Sequence, residues 1–236
     1  MIELVDVSYE KDGKKILDNI NIKFSDNFTV ITGPNGSGKS TLAKIIMGIL
    51  KPTKGKVLFN GNDITNLSID KRAKEGISFS FQQPVKFKGI TVYDLIKLSS
   101  PEELDFMSCC GVLSKVGLCA REYINREVDD SLSGGELKRI EIATIMVRNS
   151  KLNIFDEPEA GIDLWSFNNL INVFKELRDK NNCKTIIISH QERIISIADK
   201  VILLEGGRIK EDNDNDFINS LTRCNKLGGE INEWFR

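Results

Sequence analysis

A glycine-rich segment at Gly33–Ser40 has the residue types and spacing needed to hold phosphate groups. It reads GPNGSGKS and fits the pattern G-x-x-x-x-G-K-S in full, with the apolar run FTVIT (28–32) before it and helical spacing after it. Glycines let successive backbone N–H groups point at the α- and β-phosphates of a nucleotide, and the following helix adds its positive N-terminal dipole. Lys39 is then expected to reach the β- and γ-phosphates, and the Ser40 hydroxyl to ligate Mg²⁺.

Two carboxylates follow a second apolar strand pattern in the segment LNIFDE (152–157). A carboxylate at the C-terminal edge of a parallel strand lies where ligands of such sheets bind. Asp156 is expected to hold Mg²⁺ through water, and Glu157 to polarise an attacking water as a general base. An acidic turn before Pro158 would explain these residues in isolation, but that explanation weakens beside a phosphate-binding segment.

A second glycine-rich segment, Ser131–Glu136, reads SLSGGE and precedes a stretch with helical spacing, LKRIEIATIMV. The serine hydroxyl, the Gly134 and Gly135 backbone and the helix N-terminus would form a second anion-binding surface. An ordinary helix cap, with Ser133 capping and Glu136 in the capping-box position, would explain the helix start but not the two glycines. One nucleotide cannot easily occupy both glycine-rich segments of the same chain.

The elements that must position these segments alternate between strand and helix patterns. Period-2 alternation predicts strands over 2–9 and 16–24, joined by a hairpin turn at Asp12-Gly13. The further predicted elements are strands over 28–32, 56–61, 151–155, 185–189 and 201–205, and helices over 134–149, 165–180 and 192–198. This order predicts an α/β fold with a mainly parallel sheet covered on both faces and an antiparallel N-terminal β part.

The stretch 88–130 differs from the rest, because its apolar positions take helical spacing, interrupted by Pro101 and Gly111, and no convincing strand is present. We therefore predict a helical subdomain over 88–130, inserted into an α/β nucleotide-binding body formed by residues 1–87 and 131–236 of a single domain. The acidic stretch EDNDND (211–216) is predicted to be a solvated loop.

The composition is that of an ordinary globular protein: 236 residues, 40% hydrophobic and 28% charged, with a formal net charge of −1. This charge gives no reason to expect nucleic acid as a partner. No apolar run approaches the ~18–20 residues needed to cross a bilayer, so another chain would have to supply any membrane part. The odd number of cysteines, without matched CxxC pairs, favours reduced thiols over a zinc site or disulfides; they are Cys109, Cys110, Cys119, Cys183 and Cys224.

The order of these motifs resembles that of ABC-type (ATP-binding cassette) ATPase domains over nearly the whole chain. The matching segments are GPNGSGKST, the glutamine of FSFQQP, LSGGE, LNIFDE, AGID and the histidine after TIIIS. The resemblance implies a P-loop fold that binds ATP with Mg²⁺, hydrolyses it, and works as a face-to-face dimer of two copies. The residues implied to hold the phosphates are Gly33, Pro34, Asn35, Gly36, Ser37, Gly38, Lys39, Ser40 and Thr41.

The resemblance also implies roles in and around the second glycine-rich segment. Gln82 looks like the Q-loop glutamine, which links Mg²⁺ and water to the helical subdomain. Ser133, Gly134 and Gly135, with Glu136 after them, look like the signature motif that completes the nucleotide site of the second copy.

Three further residues receive roles from the same resemblance. Asp163 resembles the D-loop carboxylate, although Ala-Gly-Ile precedes it where the family has Ser-Ala-Leu. His190, the only histidine, is similar to the switch histidine that contacts the γ-phosphate. Tyr9 looks like the aromatic residue that stacks on adenine.

Two regions of the chain resemble SufC, the ATPase of Suf iron–sulfur cluster assembly, in particular. They are GISFSFQQPVKFKGITVYDLI (76–96) and SHQERIISIADKVILLEGGRIKEDND (189–214), although the helical stretch is shorter and DEPEAGID departs from the SufC pattern. This resemblance implies a SufB/SufD-like scaffold partner and a cytoplasmic location.

Two other functions fit the same motifs. The first is the ATP-binding subunit of a membrane ABC transporter, which would sit at the membrane on permease subunits. The second is a nucleotide-binding scaffold that does not hydrolyse ATP, and the joint presence of Lys39, Asp156, Glu157 and His190 argues against it.

The segment 84–100 after Gln82 mixes apolar residues with lysines, a pattern that favours a docking surface for the partner. Phe87, between two lysines, is expected to be exposed and to contact that partner. Leu95 and Ile96 are expected to pack in the core instead.

Overall fold

A computed structural model describes residues 1–180 and 182–213. Its elements are, in chain order, β1 (Ile2–Lys11), β2 (Lys14–Phe24), β3 (Phe28–Thr32), α1 (Lys39–Met47), β4 (Lys54–Phe59), β5 (Asn62–Asp63), α2 (Ile69–Lys74), β6 (Ile77–Ser80), β7 (Phe87–Thr91), α3 (Val92–Ser99), α4 (Phe106–Lys115), α5 (Ala120–Tyr123), β8 (Glu127–Val128), α6 (Gly134–Val147), β9 (Leu152–Asp156), α7 (Leu164–Arg178), β10 (Lys184–Ile188), α8 (Glu192–Ile195), β11 (Lys200–Glu205) and β12 (Arg208–Asn213). The chain divides into two compact units. Unit 1 is Met1–Glu75 with the chain from Ile186 onward, and unit 2 is Gly76–Thr185.

Unit 1 contains an antiparallel sheet built on the N-terminal hairpin. β1 pairs with β2 on one side and with β4 on the other, and β5 extends β4. The hairpin turns at Asp12 and Gly13, whose φ angles of 51° and 73° suit the type I′ turns that join strands of right-handed twist. The hairpin predicted at this dipeptide is therefore confirmed.

A second set of strands in unit 1 supports the phosphate-binding segment. β3 is buried at all five positions and lies parallel to β11, with Val30 opposite Val201. β12 returns antiparallel to β11. A strand without a solvent face requires a continuous apolar run, and FTVIT supplies one. This buried strand leads directly into Gly33 and then α1.

One buried arginine caps the C-terminal end of α1. Arg72 on α2 is 1% exposed and donates to the carbonyl oxygens of Ile45 and Ile46 at 2.8 and 2.7 Å. Burial lowers the pKa of Arg72 to about 10, so the guanidinium remains charged at neutral pH. A cation at the C-terminus of a helix satisfies its last carbonyls and complements the helix dipole.

Unit 2 combines a parallel strand pair with helices. β6 lies parallel to β9, with Ile77 opposite Leu152, and β9 is buried at every position. α6 packs against α3, α4 and β6, and α7 contacts α4. The long helices α6 and α7 each begin at a capping residue that the sequence places directly after a loop, Ser133 and Asp163.

Three expectations on secondary structure need correction. The stretch 88–130 was expected to hold no convincing strand, but β7 pairs antiparallel with the two-residue β8. Gly111 does not interrupt a helix; it lies inside α4, where the apolar contacts of its neighbours outweigh the low helix propensity of glycine. The first residues of the acidic stretch 211–216 belong to β12 rather than to a loop, and the remainder lies outside the described residues, as does Cys224.

The other four cysteines are free thiols, as expected. The division of the chain places all of 88–130 in unit 2, together with α6, β9 and α7. A separate helical subdomain with those boundaries stays a prediction.

Candidate nucleotide-binding site

The first glycine-rich segment of unit 1 forms a tight loop between β3 and α1. A Cβ atom at Gly33 would lie 2.0 Å from the carbonyl oxygen of Leu204, and the φ angle there is 140°, so only glycine fits at this turn. Lys39 is 5% exposed, and its ammonium nitrogen donates to the carbonyl oxygens of Gly33 and Pro34 at 2.7 and 2.9 Å. The lysine is thus folded back over its own loop.

One buried side chain of this loop indicates that the loop holds a ligand. The hydroxyl of Ser37 is buried without a hydrogen-bond partner among the described residues. Buried hydroxyl groups are normally hydrogen-bonded, so an orphan at this position indicates a missing acceptor. Helix α1 follows with Gly38 as its N-cap, and the N-terminus of a helix carries a partial positive charge that favours an anion. The residues present therefore fit the phosphates of a nucleotide.

Unit 1 also contains two other predicted site residues, His190 and Tyr9. The Nδ1 atom of His190 lies 3.4 Å from the hydroxyl oxygen of Thr32, the residue that directly precedes Gly33. Tyr9 is half-buried and lies opposite Leu17 in the hairpin, and the Leu17 side chain would be 2.7 Å from a Cβ atom at Gly38. The histidine thus lies beside the start of the loop, whereas the tyrosine is placed only by its pairing with Leu17.

Unit 2 brings the predicted general base and the predicted Q-loop glutamine into direct contact. The side-chain amide of Gln82 donates to Glu157 Oε2 at 2.7 Å. Asp156 ends the buried strand β9 and is 1% exposed, whereas Glu157 is partly accessible. Glu157 adopts a φ of 47°, which a residue other than glycine rarely takes.

The second glycine-rich segment is an N-capped helix start with an open face. Ser133 and Glu136 form a capping box, in which the Ser133 N–H donates to Glu136 Oε2 at 2.7 Å. Burial raises the pKa of Glu136, but hydrogen bonds from Tyr123 and Ser133 outweigh it and hold the pKa below its ordinary value. The helix cap that the sequence offered as an alternative explanation is therefore present. The cap does not require glycine at position 134, because a Cβ atom there would meet nothing within 4 Å.

The loop after Glu157 packs against this helix start. A Cβ atom at Gly135 would lie 2.4 Å from the carbonyl oxygen of Gly161, so the two backbones are in contact. Asp163 caps α7 by accepting from the N–H groups of Trp165 and Ser166 at 3.0 and 2.9 Å. Hydrogen bonding from Ser166 lowers the pKa of Asp163. The predicted D-loop carboxylate thus has a structural role in this chain, beside any contact with a second copy.

Several residues around this segment were not recognised from the sequence. Arg139 bridges α6 to α7 through the Ser166 hydroxyl at 2.8 Å, and Lys138 and Glu141 reach the backbone beside Gln82. Leu164 and Trp165 at the start of α7 are 77% and 86% exposed. A lysine and a glutamate three residues apart look like a surface pair in a sequence, and only the tertiary structure shows that Lys138 is buried.

Comparison with known proteins gives consistent matches along the chain. The family model described as ABC transporter matches residues 17–160. The chain is 38% identical over 223 residues to an uncharacterized ABC transporter ATP-binding protein of Methanocaldococcus jannaschii, covering 91% of this chain and 89% of that protein. It is 31% identical over 216 residues to the probable ATP-dependent transporter ycf16 of Cyanidium caldarium, covering 85% of each.

Solved structures share the fold. An ATP-binding cassette, described as a dimeric post-hydrolysis state bound to ADP and Pi, has a TM-score of 0.78 at 24% identity, with 91% of this chain and 98% of that chain covered. The α/β fold class predicted from the sequence is confirmed. No helix among residues 1–180 and 182–213 combines the length and the apolar character needed to cross a bilayer.

Proposed function

Because this chain belongs to the ABC transporter family of ATP-binding proteins, we propose that it binds and hydrolyses ATP as one of two copies that complete each other's sites. The observation that carries this proposal is that each of the two glycine-rich segments has a feature which its own chain does not explain. The loop at Gly33–Ser40 holds a buried, unpartnered Ser37 hydroxyl, and the helix start at Ser133–Gly135 keeps a glycine that its own chain does not require. A similar cassette is described as a dimer with ADP and Pi bound.

In this proposal different residues bind the nucleotide and the metal ion. Backbone N–H groups of the first loop and the ammonium of Lys39 hold the phosphates, while Tyr9 stacks on adenine. Ser40, Gln82 and Asp156 would hold Mg²⁺, whose chemistry is to neutralise phosphate charge.

Hydrolysis would depend on the groups beyond the phosphate loop. Glu157 would orient the attacking water and accept its proton, with Gln82 fixing the position of the Glu157 carboxylate, and His190 would donate to the γ-phosphate. Ser133, Gly134 and Gly135 of the second copy would bind the γ-phosphate from the opposite side. Asp163 lies in the same loop as Gly161, whose backbone contacts Gly135. A change at the γ-phosphate contact of Gly135 would therefore shift Asp163.

We propose a membrane transporter as the machine that this subunit drives. The relatives named above are described as transporter ATP-binding proteins or as an ATP-dependent transporter. None of these descriptions mentions iron–sulfur cluster assembly, so they favour the transporter alternative over the SufC-like function expected from the sequence. The Suf function remains a second candidate, because the segments 76–96 and 189–214 resemble SufC in sequence.

Co-purification distinguishes the two candidates. The tagged chain is purified from its own cells in mild detergent, and the co-purified proteins are identified by mass spectrometry. Recovery of an integral membrane protein in stoichiometric amounts is expected. Recovery of a β-rich scaffold without any membrane protein would overturn the transporter proposal in favour of the Suf candidate.

Phe87 is proposed as a contact to that partner, since it is 39% exposed on β7 and Val85 beside it is 48% exposed. Phe87→Asp is expected to reduce recovery of the partner at least tenfold, because a charge on a buried contact surface is costly to desolvate. Basal ATP hydrolysis by the isolated chain should stay unchanged.

Ile69→Asp is the matched control, since Ile69 is 44% exposed in unit 1 and lies outside the 84–100 segment. It should bind the partner normally. If Phe87→Asp binds the partner at full strength, the docking site lies elsewhere; if it unfolds at a lower temperature and loses hydrolysis, Phe87 has a packing role.

A further inference from the structure

Lys138 and Glu141, on one turn of helix α6, form a grip on the backbone of Phe81, the residue that directly precedes Gln82. Glu141 accepts from the Phe81 N–H through Oε1 at 3.0 Å and from the Ser80 hydroxyl through Oε2 at 2.7 Å. The ammonium of Lys138 donates to the Phe81 carbonyl oxygen. Both backbone polar groups of Phe81, one residue beyond the end of β6, are therefore held by side chains of α6.

The cation of this arrangement is buried, and the Glu141 side chain is 16% exposed. The Lys138 side chain is 1% exposed, and its nitrogen lies 3.5 Å from Glu141 Oε2. Burial lowers the pKa of Lys138, and the Glu141 carboxylate opposes that shift. Buried ion pairs are weak contributors to stability, since apolar side chains of similar volume often replace them without loss. The pair does, however, fix the position of whatever backbone it holds.

The residue after Phe81 is the glutamine that contacts the proposed base. Gln82 reaches Glu157 at 2.7 Å, so the chain of contacts runs from α6 through Phe81 and Gln82 to the carboxylate that would orient water. The same helix begins at Ser133 and Gly134, the residues proposed to meet the nucleotide of the second copy.

We propose that Glu141 is a positioning residue for hydrolysis: with Lys138 it fixes the Phe81 peptide to α6, so that Gln82 and Glu157 keep their places relative to the signature segment. The proposal rests on the proposed ATPase function. Misplacing a reacting group by about 1 Å costs roughly 10²-fold in rate, so loss of the grip should lower turnover without touching ATP binding.

The test uses two double variants in which no charge is left unpaired. Lys138→Met with Glu141→Ala removes all the contacts to Phe81 and Ser80. Lys138→Met with Glu141→Gln keeps an acceptor for the Phe81 N–H. The first is expected to lower kcat about 10- to 100-fold and the second about threefold, while the affinity for a fluorescent ATP analogue changes less than about twofold in both.

Neutralising an exposed ion pair of the same unit serves as the control. Lys115 and Glu176 are 2.8 Å apart, join α4 to α7 and do not touch Phe81 or Gln82. Lys115→Met with Glu176→Gln should hydrolyse ATP at the unmodified rate. Thermal unfolding of every variant shows whether it is folded at the assay temperature.

Gln82→Ala decides whether the grip acts through Gln82. If it does, adding Lys138→Met and Glu141→Ala to Gln82→Ala lowers kcat no further, because coupled residues are not additive. Two results would overturn the proposal. The first is that the two substitutions lower kcat as much on the Gln82→Ala background as in the otherwise unmodified chain. The second is that the variant with Lys138→Met and Glu141→Ala is folded and has the kcat of the unmodified chain.

A second readout does not depend on activity. Amide hydrogen exchange at Phe81 should be slow in the unmodified chain, faster in the variant with Lys138→Met and Glu141→Ala, and slow again in the variant with Lys138→Met and Glu141→Gln. An unmodified chain that does not hydrolyse ATP would refute the proposed function. A rate of amide exchange at Phe81 that is the same in all three proteins would refute the proposal that Glu141 holds the Phe81 backbone.

Discussion

Glu157→Gln is expected to lower ATP turnover by about 10²–10⁴-fold while leaving ATP affinity nearly unchanged, because a positioned general base contributes about that much to a rate. The glutamine keeps the size of the side chain and one acceptor oxygen, but it cannot take a proton from water. The substitution lies outside the Gly33–Ser40 loop, which is proposed to hold the phosphates. Steady-state phosphate release and equilibrium binding of a fluorescent ATP analogue measure the two quantities separately.

Glu159→Gln is the matched control, because it removes the same charge two residues further along the same loop. Gln82 donates to Glu157, and this contact is the structural reason for assigning the base to position 157. Glu159→Gln should retain most of the turnover. An equal loss of turnover in the two variants would mean that the net charge of the loop matters rather than one carboxylate. Unchanged turnover in Glu157→Gln would show that Glu157 is not the general base.

Gly134→Asp is expected to abolish ATP-driven dimerisation without lowering the melting temperature. Gly134 is the first residue of α6, where an acidic side chain favours the helix, and a Cβ atom there meets nothing within 4 Å. The free chain should therefore tolerate the aspartate. In the dimer its carboxylate would face the γ-phosphate of the second copy's ATP.

The expected size of this effect follows from the repulsion between like charges. Two such charges about 4 Å apart repel by ~4 kcal/mol at an effective dielectric constant of about 20, roughly 10³-fold in the dimerisation constant. Gly111→Asp is the control, since Gly111 lies in α4 with equally open space around it. A Gly134→Asp variant that dimerises with ATP as the unmodified chain does would show that the signature segment does not face the second nucleotide.

The parts of the fold that the sequence predicts well are those governed by local rules. The bounds of β3 are as predicted, because a buried strand needs a continuous apolar run and the glycine after it ends the run. The start of α6 follows from the capping preference of Ser133, and the hairpin from Asp12-Gly13.

The misses come from contacts between residues far apart in sequence. β7 pairs with β8 about 40 residues later, and a two-residue strand has no period of its own to recognise. Lys138 and Glu141 have the i, i+3 spacing of a solvated helical pair, and their contacts with the peptide after β6 join residues that lie far apart in sequence. The candidate site follows the same rule. Its glycine-rich loops can be predicted from the sequence, whereas the contacts of Lys138 and Glu141 with Phe81 cannot.

The most direct test of the composite site is the mass of the Glu157→Gln variant in solution with and without ATP. Since this variant binds ATP but hydrolyses it slowly, the ATP-bound dimer should persist long enough for light scattering on a gel-filtration column. The account predicts the mass of one chain without nucleotide or with ADP, twice that mass with saturating ATP, and one chain again when Gly134→Asp is added. A Glu157→Gln chain that is saturated with ATP and keeps the mass of one chain would contradict it.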